Sequence, residues 1–369
     1  MKLKPSVLLV AAALSAPLAQ AEVTIGGSIE ADILYHDSNA EGYKGEFELD
    51  VEPRLFFTGA DKLDNGSEVI WKIWTGAENY RSEADKGNSV NSMGSGRTWG
   101  NREAWGGWRG DWGQLQFGKS FSPIYNRLDG TYALDGSGQY IDDPGLIYYN
   151  PTNSITYYSP SLAGFSIAGQ YSFRDQLNER EGQSQSYTYE VLLGYEAQAF
   201  RVDAGYEESR PETSGVSGSQ VANTDGKKDK FAFGAGRVKF GDFDLAAGYR
   251  WWKQEAQGEG VVTVVEGGAE QSNAFLQALY TFGNNRLGFT YSYFWDAKDV
   301  NGDKIDDSAS NAFALRWTYA LSKKTSGYAD LHYTMNDKHG AVGADGPGNP
   351  SYTNDADTYR VLFGTYTDF

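Results

Sequence analysis

The sequence predicts an all-β chain, a 16-stranded antiparallel transmembrane β-barrel, and three observations predict it. Sixteen segments alternate apolar and polar side chains with period two, the mark of a strand with one apolar and one wet face. The composition joins 10 Trp, 25 Tyr, 19 Phe and 45 Gly to a mean hydropathy of −0.54 and no cysteine. Connections between the segments are alternately short and long, as in barrels with tight turns at one rim and loops at the other. The polarity leaves no room for a helical membrane protein, which needs runs of about 18 apolar residues. The lack of cysteine excludes a disulfide framework, a thiolate metal site and a cysteine nucleophile. A net charge of −17 over 369 residues argues against a nucleic-acid partner, whose phosphates would be repelled. The aromatic content excludes a disordered acidic chain.

The first residues are an address. Met1-Lys2-Leu3-Lys4 is a positive start, Val7 to Leu14 a short apolar stretch and Ala19-Gln20-Ala21 a small-x-small cleavage site. This order predicts a secretory signal peptide over 1–21 and a barrel domain over 22–369.

The strand segments fall at 23–36, 46–59, 67–77, 98–109, 114–119, 154–159, 164–173, 187–196, 200–208, 230–240, 243–253, 272–282, 286–296, 309–320, 325–334 and 356–369. In the second, Phe47, Leu49, Val51, Leu55 and Phe57 share one face, and Glu46, Glu48, Asp50, Glu52, Arg54 and Thr58 the other. Four acids on one side fit no ordinary core, but they fit a wall between lipid and water. Leu287, Phe289, Tyr291 and Tyr293 repeat the pattern, as do Phe313, Leu315, Trp317 and Tyr319. Short links such as Gly241-Asp242 and Leu321 to Lys324 alternate with long ones at 78–97, 120–153, 209–229, 254–271, 297–308 and 335–355. An even count puts both termini at the short-turn, periplasmic rim. The competing soluble reading, a secreted β-sandwich or β-helix, requires fewer charges opposite the apolar faces. An eight-stranded barrel with insertions would not carry the pattern to the last residue.

Several stretches carry a family likeness. They are Pro53-Arg54-Leu55-Phe56-Phe57-Thr58-Gly59 with Asp64-Asn65-Gly66, Asn101 to Trp108 with Phe117-Gly118-Lys119, Asn153 to Pro160 with Ala163-Gly164-Phe165, and the terminal Phe369. In order and spacing they resemble the trimeric 16-stranded porins of Gram-negative outer membranes, across the whole chain after residue 21. The resemblance implies a homotrimer of water-filled channels in contact with outer-membrane lipid and lipopolysaccharide. It also implies a third long loop, 120–153, folded into each lumen, with its acids facing a basic wall. Position by position, Arg54 and Arg102 match the wall arginines, and Asp129, Asp135, Asp142 and Asp143 are the loop acids. Lys72 joins the wall from its own phase, which it shares with Glu68 opposite Val69, Trp71 and Ile73. The chain departs from the family in Thr156 where Arg is common, in Leu134-Asp135-Gly136-Ser137-Gly138 where Pro-Glu-Phe-Gly is common, and in Thr367, third from the end, where an aromatic is usual.

The phase of the strands places Glu30, Asp32, Glu48, Asp50, Glu52, Asp203, Glu207 and Asp244 on the lumen, an acidic lining that favours cations, most at low salt. Glu103 and Arg109 share the odd face of the fourth segment with Trp105, a face expected to point outward. A lipid-facing Arg at mid-depth costs roughly 2–4 kcal/mol, so this phase predicts a subunit interface there. Trp74 and Trp252 on lumen faces, with Tyr125, Tyr132 and Tyr140 in loop three, offer rings on which sugars could stack.

Other motifs carry less. Gly113-Gln114-Leu115-Gln116-Phe117-Gly118-Lys119-Ser120 matches a P-loop expression, but its middle alternates as a strand and no helix is expected after Ser120. Asp299, Asn301, Asp303 and Asp307 are spaced like oxygen ligands of a calcium loop. Yet glycine stands fourth in place of sixth and no Glu follows at the twelfth, so an acidic surface turn is expected, with a structural calcium as the alternative; no other cofactor is implied. His36, His332 and His339 lack a serine elbow and read as strand-end or loop residues. The expected function is therefore non-enzymatic: passive diffusion of small hydrophilic solutes and ions. The rival readings are an oligosaccharide-selective porin, a plugged barrel serving as adhesin or receptor, and an outer-membrane hydrolase.

Overall fold

In the computed structural model, residues 22–76, 99–133, 150–151, 153–173, 187–210, 228–255, 268–340, 342–343, 346–347 and 355–369 are described. Residues 1–21, expected to be a signal peptide, and residues 134–149 of loop three, with Asp135, Asp142, Asp143 and Tyr140, lie outside them. In chain order the barrel strands are β1 (Glu22–Ser38), β2 (Glu46–Lys62), β3 (Glu68–Gly76), β4 (Glu103–Gly110), β5 (Gly113–Lys119), β6 (Ser154–Tyr158), β7 (Phe165–Ser172) and β8 (Tyr187–Glu196). They continue as β9 (Phe200–Arg210), β10 (Asp229–Phe240), β11 (Phe243–Gln254), β12 (Glu270–Phe282), β13 (Asn285–Phe294), β14 (Ser310–Ala320), β15 (Thr325–Asn336) and β16 (Thr358–Asp368). Each pairs antiparallel with its neighbours in sequence, and β1 pairs with β16 to close the ring. Sixteen strands and the alternation of short and long links are thus as the sequence pattern predicts. Among the described residues no helix is long and apolar enough to cross a membrane; the crossing is made by strands, whose backbone groups all find partners in the closed ladder.

Closure is completed at the last residue. The Phe369 N–H donates to Gly27 O at 3.0 Å, and the Gly27 N–H to Phe369 O at 3.3 Å. Gly364 on the seam has no room for a side chain. A Cβ on Gly364 would run into the Asp32 carboxylate and the Tyr328 ring. Gly364→Ala is therefore expected to lower the yield of closed barrel on refolding, read as loss of the compact band in unheated gel electrophoresis, while Gly234→Ala, where a Cβ meets open space, leaves it unchanged.

The outward faces are apolar and end in aromatic girdles. Ile25 (65% exposed), Ile33 (57%), Leu276 (60%) and Phe363 (63%) stand toward lipid. At the short-turn rim, Phe165 meets Tyr195 at 4.5 Å, Phe243 meets Tyr280 at 4.7 Å and Tyr280 meets Phe282 at 5.4 Å between ring centres. At the loop rim, Tyr171 lies 4.7 Å from Phe173, and Tyr293 lies 5.2 Å from Trp295. Amphipathic rings are favoured at both membrane–water boundaries. β1 and β2 have 17 residues each, longer than the 9–11 a tilted strand needs to span.

A core lies inside the ring as well. Phe231, Phe233, Trp252, Phe275 and Phe294 point inward from β10 to β13 and bury Ile124, Leu128 and Tyr132 of loop three. One side of the lumen is therefore packed.

Candidate functional site

On β1 and β2 the even-numbered side chains face inward. Glu30 stands directly opposite Glu52, Asp32 opposite Asp50, and Glu48 opposite Leu34. Like charges in cross-strand positions repel, and two neighbours offset this. The Arg54 guanidinium touches Glu52 and lies 3.3 Å from Glu30. The Tyr328 hydroxyl of β15 lies within hydrogen-bond distance of both Asp32, at 2.6 Å, and Glu30, at 2.9 Å. Arg316 covers the Tyr328 ring at 3.8 Å and pairs with Asp330 at 3.1 Å. Arg360 donates to His332 at 3.2 Å and lies 3.8 Å from Asp330. The seam wall thus presents a basic strip on β14–β16 next to an acidic strip on β1 and β2. Since Arg54 contacts Glu52 and lies beside Glu30, Arg54→Ala is expected to move the zero-current potential in a salt gradient further to the cation side.

The next strands hold further cations. Lys72 contacts Glu103 and sits 4.2 Å over the Trp74 ring. Arg102 lies 4.8 Å from the same ring and 5.5 Å from Phe121, whose ring is 5.6 Å from Trp74. Arg109 donates to Glu68 at 2.6 Å. These contacts correct the expected phase of β4. Glu103 pairs across the ladder with Trp74 and Arg109 with Glu68, so both face the lumen, and Ala104, Gly106 and Trp108 face out. Trp105 accompanies the charges inward because its indole N–H donates to Glu103 at 3.1 Å. Glu103 and Arg109 therefore place no charge against lipid, and the subunit interface expected on that ground is not required.

Loop three enters the barrel. Ser122 caps a short helix, α1 (Pro123–Arg127), by accepting the Tyr125 N–H at 3.0 Å, with Pro123 pre-set at its start. One turn of π-helix, Leu128–Tyr132, follows. A short helix does therefore follow Ser120, contrary to expectation. No phosphate cradle results, because Gln114 to Gly118 is laddered into β4 and β6. Glu190 of β8 accepts the Ile124 N–H at 3.0 Å. Asp203 of β9 contacts Arg127 and accepts the Tyr132 hydroxyl at 2.8 Å. Arg237 of β10 donates to Thr131 O, and Gln277 of β12 to Tyr132 O at 3.0 Å. In a ring of this order β10 lies across from β2 and β11 from β3. The loop is thus held against the wall opposite Arg54 and Lys72, and those cations contact wall acids. Asp129, in the π-turn, is exposed.

The rings named for sugar contacts differ in access. Trp252 is 1% exposed and Tyr132 0%, so both are packing residues with no free face. Trp74 is half-buried on the lumen side. In the outer loop, the Asp299 carboxylate accepts the N–H groups of Asn301 at 2.8 Å and Asp303 at 2.9 Å, closing an Asx-type turn. Those bonds hold its carboxyl below the usual carboxylate range. Among the described residues no three His, Asp or Glu side chains gather closely enough to hold a metal ion. His36 meets Glu46 at 2.9 Å at the top of β1, whereas His332 is fully buried in mid-strand beside Arg360, not at a strand end.

The pattern reading missed Tyr328, Arg316, Glu190, Arg237 and Gln277. Phase could have found two of them: Arg237 and Arg316 share faces with Phe231 and Ala314, which also point inward.

A closed sixteen-strand ring with charged lumen, girdled outer face and an in-folded third loop defines the class of outer-membrane channel barrels. A family model described as Gram-negative porin matches residues 6–339, and the chain belongs to that family. Its place is the outer membrane. It is 26% identical over 193 residues to the major outer membrane protein P.IB of Neisseria gonorrhoeae, covering 49% of this chain and 50% of that one. The chain thus spans about half the length of the first curated relatives it matches. The P.IB protein of Neisseria sicca is 23% identical over 87% of this chain and 91% of its own. A chitoporin of Vibrio furnissii is 27% identical over 39% and 38%. Among solved structures, an anion-selective porin from Comamonas acidovorans superimposes with a TM-score of 0.70 over 95% of this chain and 100% of that one, at 17% identity. A trimer form of OmpT from Vibrio cholerae does so with 0.66 over 95% and 99%, at 12%. At such identities the likeness is one of fold.

Proposed function

We propose that the chain is secreted by its 1–21 signal, assembles as a homotrimer and forms a water-filled channel for passive diffusion of small hydrophilic solutes and ions, preferring cations. It is not an enzyme. The observation that carries the preference is the acidic strip of Glu30, Asp32, Asp50 and Glu52, in two directly opposed pairs with Arg54 as the cation in contact. Acidic side chains gathered on a low-dielectric wall focus counter-ions. Lys72, Arg102 and Asp129 border the constriction, with Asp135 the further loop acid. The relative described as a chitoporin and the half-buried Trp74 between Lys72 and Arg102 support a second reading, an oligosaccharide-selective pore. Single-channel recording of refolded protein in a planar bilayer tests both. Conductance steps in groups of three are expected, with no saturable block by chito-oligosaccharides. A silent membrane overturns the channel, and a block abolished by Trp74→Ala establishes the sugar reading in its place.

A further inference from the structure

The last long loop, between β15 and β16, turns into the barrel, whereas a loop ordinarily runs over the surface. On β15 the side chains of Tyr328, Asp330, His332 and Thr334 face inward, and Asn336, at the loop end of the strand, keeps their phase. On β14 the same holds for Ala314, Ala312 and Ser310, the last directly opposite Asn336. The loop's described residues lie over these two inner faces. A Cβ on Gly340 would stand 2.6 Å from both Ala309 O and Ser310 Oγ, so the chain passes in direct contact with the end of β14. Val342, two residues on, is fully buried in the cluster of Phe294, Ala297 and Ala312. That cluster also holds Ile124, Leu128 and Tyr132 of loop three, so the two in-folded loops share one packed side.

One side chain holds the loop there. The Asn336 amide donates to Val342 O at 2.9 Å and to Ala356 O at 2.8 Å. Its oxygen accepts the Val342 N–H at 3.0 Å and the Ser310 hydroxyl at 2.6 Å. Two donors and two acceptor sites are all that an amide side chain has, and Asn336 uses all four. Three of the bonds go to loop backbone, at both limbs of the loop. Buried backbone groups need partners, and Asn336 gives Val342 both of its own, as a neighbouring strand would. The Asp337 N–H donates to Ala309 O at 3.0 Å and the His339 N–H to Asp307 O at 2.7 Å, which ties this loop to the one before β14.

Resting on the channel reading above, we propose that this loop sets a size limit at the loop-rim mouth, ahead of loop three, with Asn336 as its positioning residue. A backbone segment anchored over the inner faces of β14 and β15 takes up cross-section that water and solute would otherwise use. Gly340, Val342 and Gly343 carry no charge, so the limit is one of bulk and acts on uncharged hydrophilic solutes. The acidic strip of β1 and β2 is made of other residues, so selection by size and selection by charge are separable.

The test uses the full chain refolded into vesicles and reads the loop and the pore separately. The chain has no cysteine. Val342→Cys therefore reports whether the loop is seated, and Lys338→Cys, at an exposed position of the same loop, gives the unhindered rate. With a bulky, charged maleimide, labelling at 342 is expected to be several-fold slower than at 338, and to approach it once Asn336→Ala is added. Vesicle swelling in arabinose, sucrose and raffinose reads the pore. Asn336→Ala, and Val342→Asp as a second way to unseat the loop, are expected to raise the raffinose-to-arabinose rate ratio several-fold while keeping the compact gel band of the closed barrel. Equal labelling at 338 and 342 without Asn336→Ala overturns the proposal. So does labelling at 342 that stays slow with Asn336→Ala, and so does an unchanged swelling ratio where that variant labels fast. Slow labelling with no swelling in any solute is a separate failure: the channel reading falls, and the size limit with it.

Discussion

Asp203→Ala is expected to loosen the in-folded loop and make the open-channel current noisier. Asp203 is 1% exposed, contacts Arg127 and accepts the Tyr132 hydroxyl, so one carboxylate ties both ends of the in-folded segment to β9. Removing it leaves Arg127 without that partner and Tyr132 with an unmet hydroxyl in an apolar surround. Breaking a buried pair in this way costs about 3–5 kcal/mol. Glu190, Gln277 and the packing of Ile124 and Leu128 oppose complete release. The outcome is therefore a loop that samples positions away from the wall, with noisier open-channel current and altered conductance, in a barrel whose strands are intact. Leu128→Ala, which leaves a void where Leu128 was fully buried, should act in the same direction at about 2–5 kcal/mol. Wild-type current in both variants would mean that the segment does not border the conducting path.

Neutralising the acidic strip is the second large effect. The combined variant Glu30→Gln, Asp32→Asn, Asp50→Asn, Glu52→Gln removes four carboxylates and keeps Arg54, leaving the basic strip of Arg316 and Arg360 to dominate the seam wall. Its permeability ratio is expected to fall to unity or cross to the anion side. The like-charge pairs it removes are repulsive, and amides retain hydrogen bonding to Tyr328, so folding is expected to persist. The change should be greatest near 0.01 M salt, where screening reaches about 30 Å, and small at 1 M, where it reaches about 3 Å. A variant as cation-preferring as the parent would move the selectivity to the loop acids.

The barrel was legible because period-two alternation between lipid and water repeats in nearly every strand, and because the Gly- and Asp-rich links mark the turns. It failed where aromatic residues do not mean lipid. In β4, Trp105 goes inward with Glu103, and the outer face is the inconspicuous Ala104 and Gly106. β10, whose phase the pattern left unassigned, turns Phe231 and Phe233 inward to meet loop three, a contact no strand-by-strand pattern contains. The candidate site was legible to the same depth. Phase sufficed to put Glu30, Asp32, Glu48, Asp50, Glu52 and Lys72 on one wall, but which cation meets which acid depends on ladder register between strands. Tyr328 reaches Asp32 and Glu30 from nearly 300 positions away, across the closing seam. Buried Trp252 shows the complementary limit, since a lumen-facing ring is not an accessible one when the lumen is partly filled.

On the proposed function, the acidic strip makes an open, cation-preferring pore. The most direct measurement is the zero-current potential of the wild-type protein in a planar bilayer under a salt gradient, repeated at low and high mean salt. A potential on the cation side that shrinks as salt rises is the predicted result. A potential at zero, or on the anion side at low salt, would contradict it.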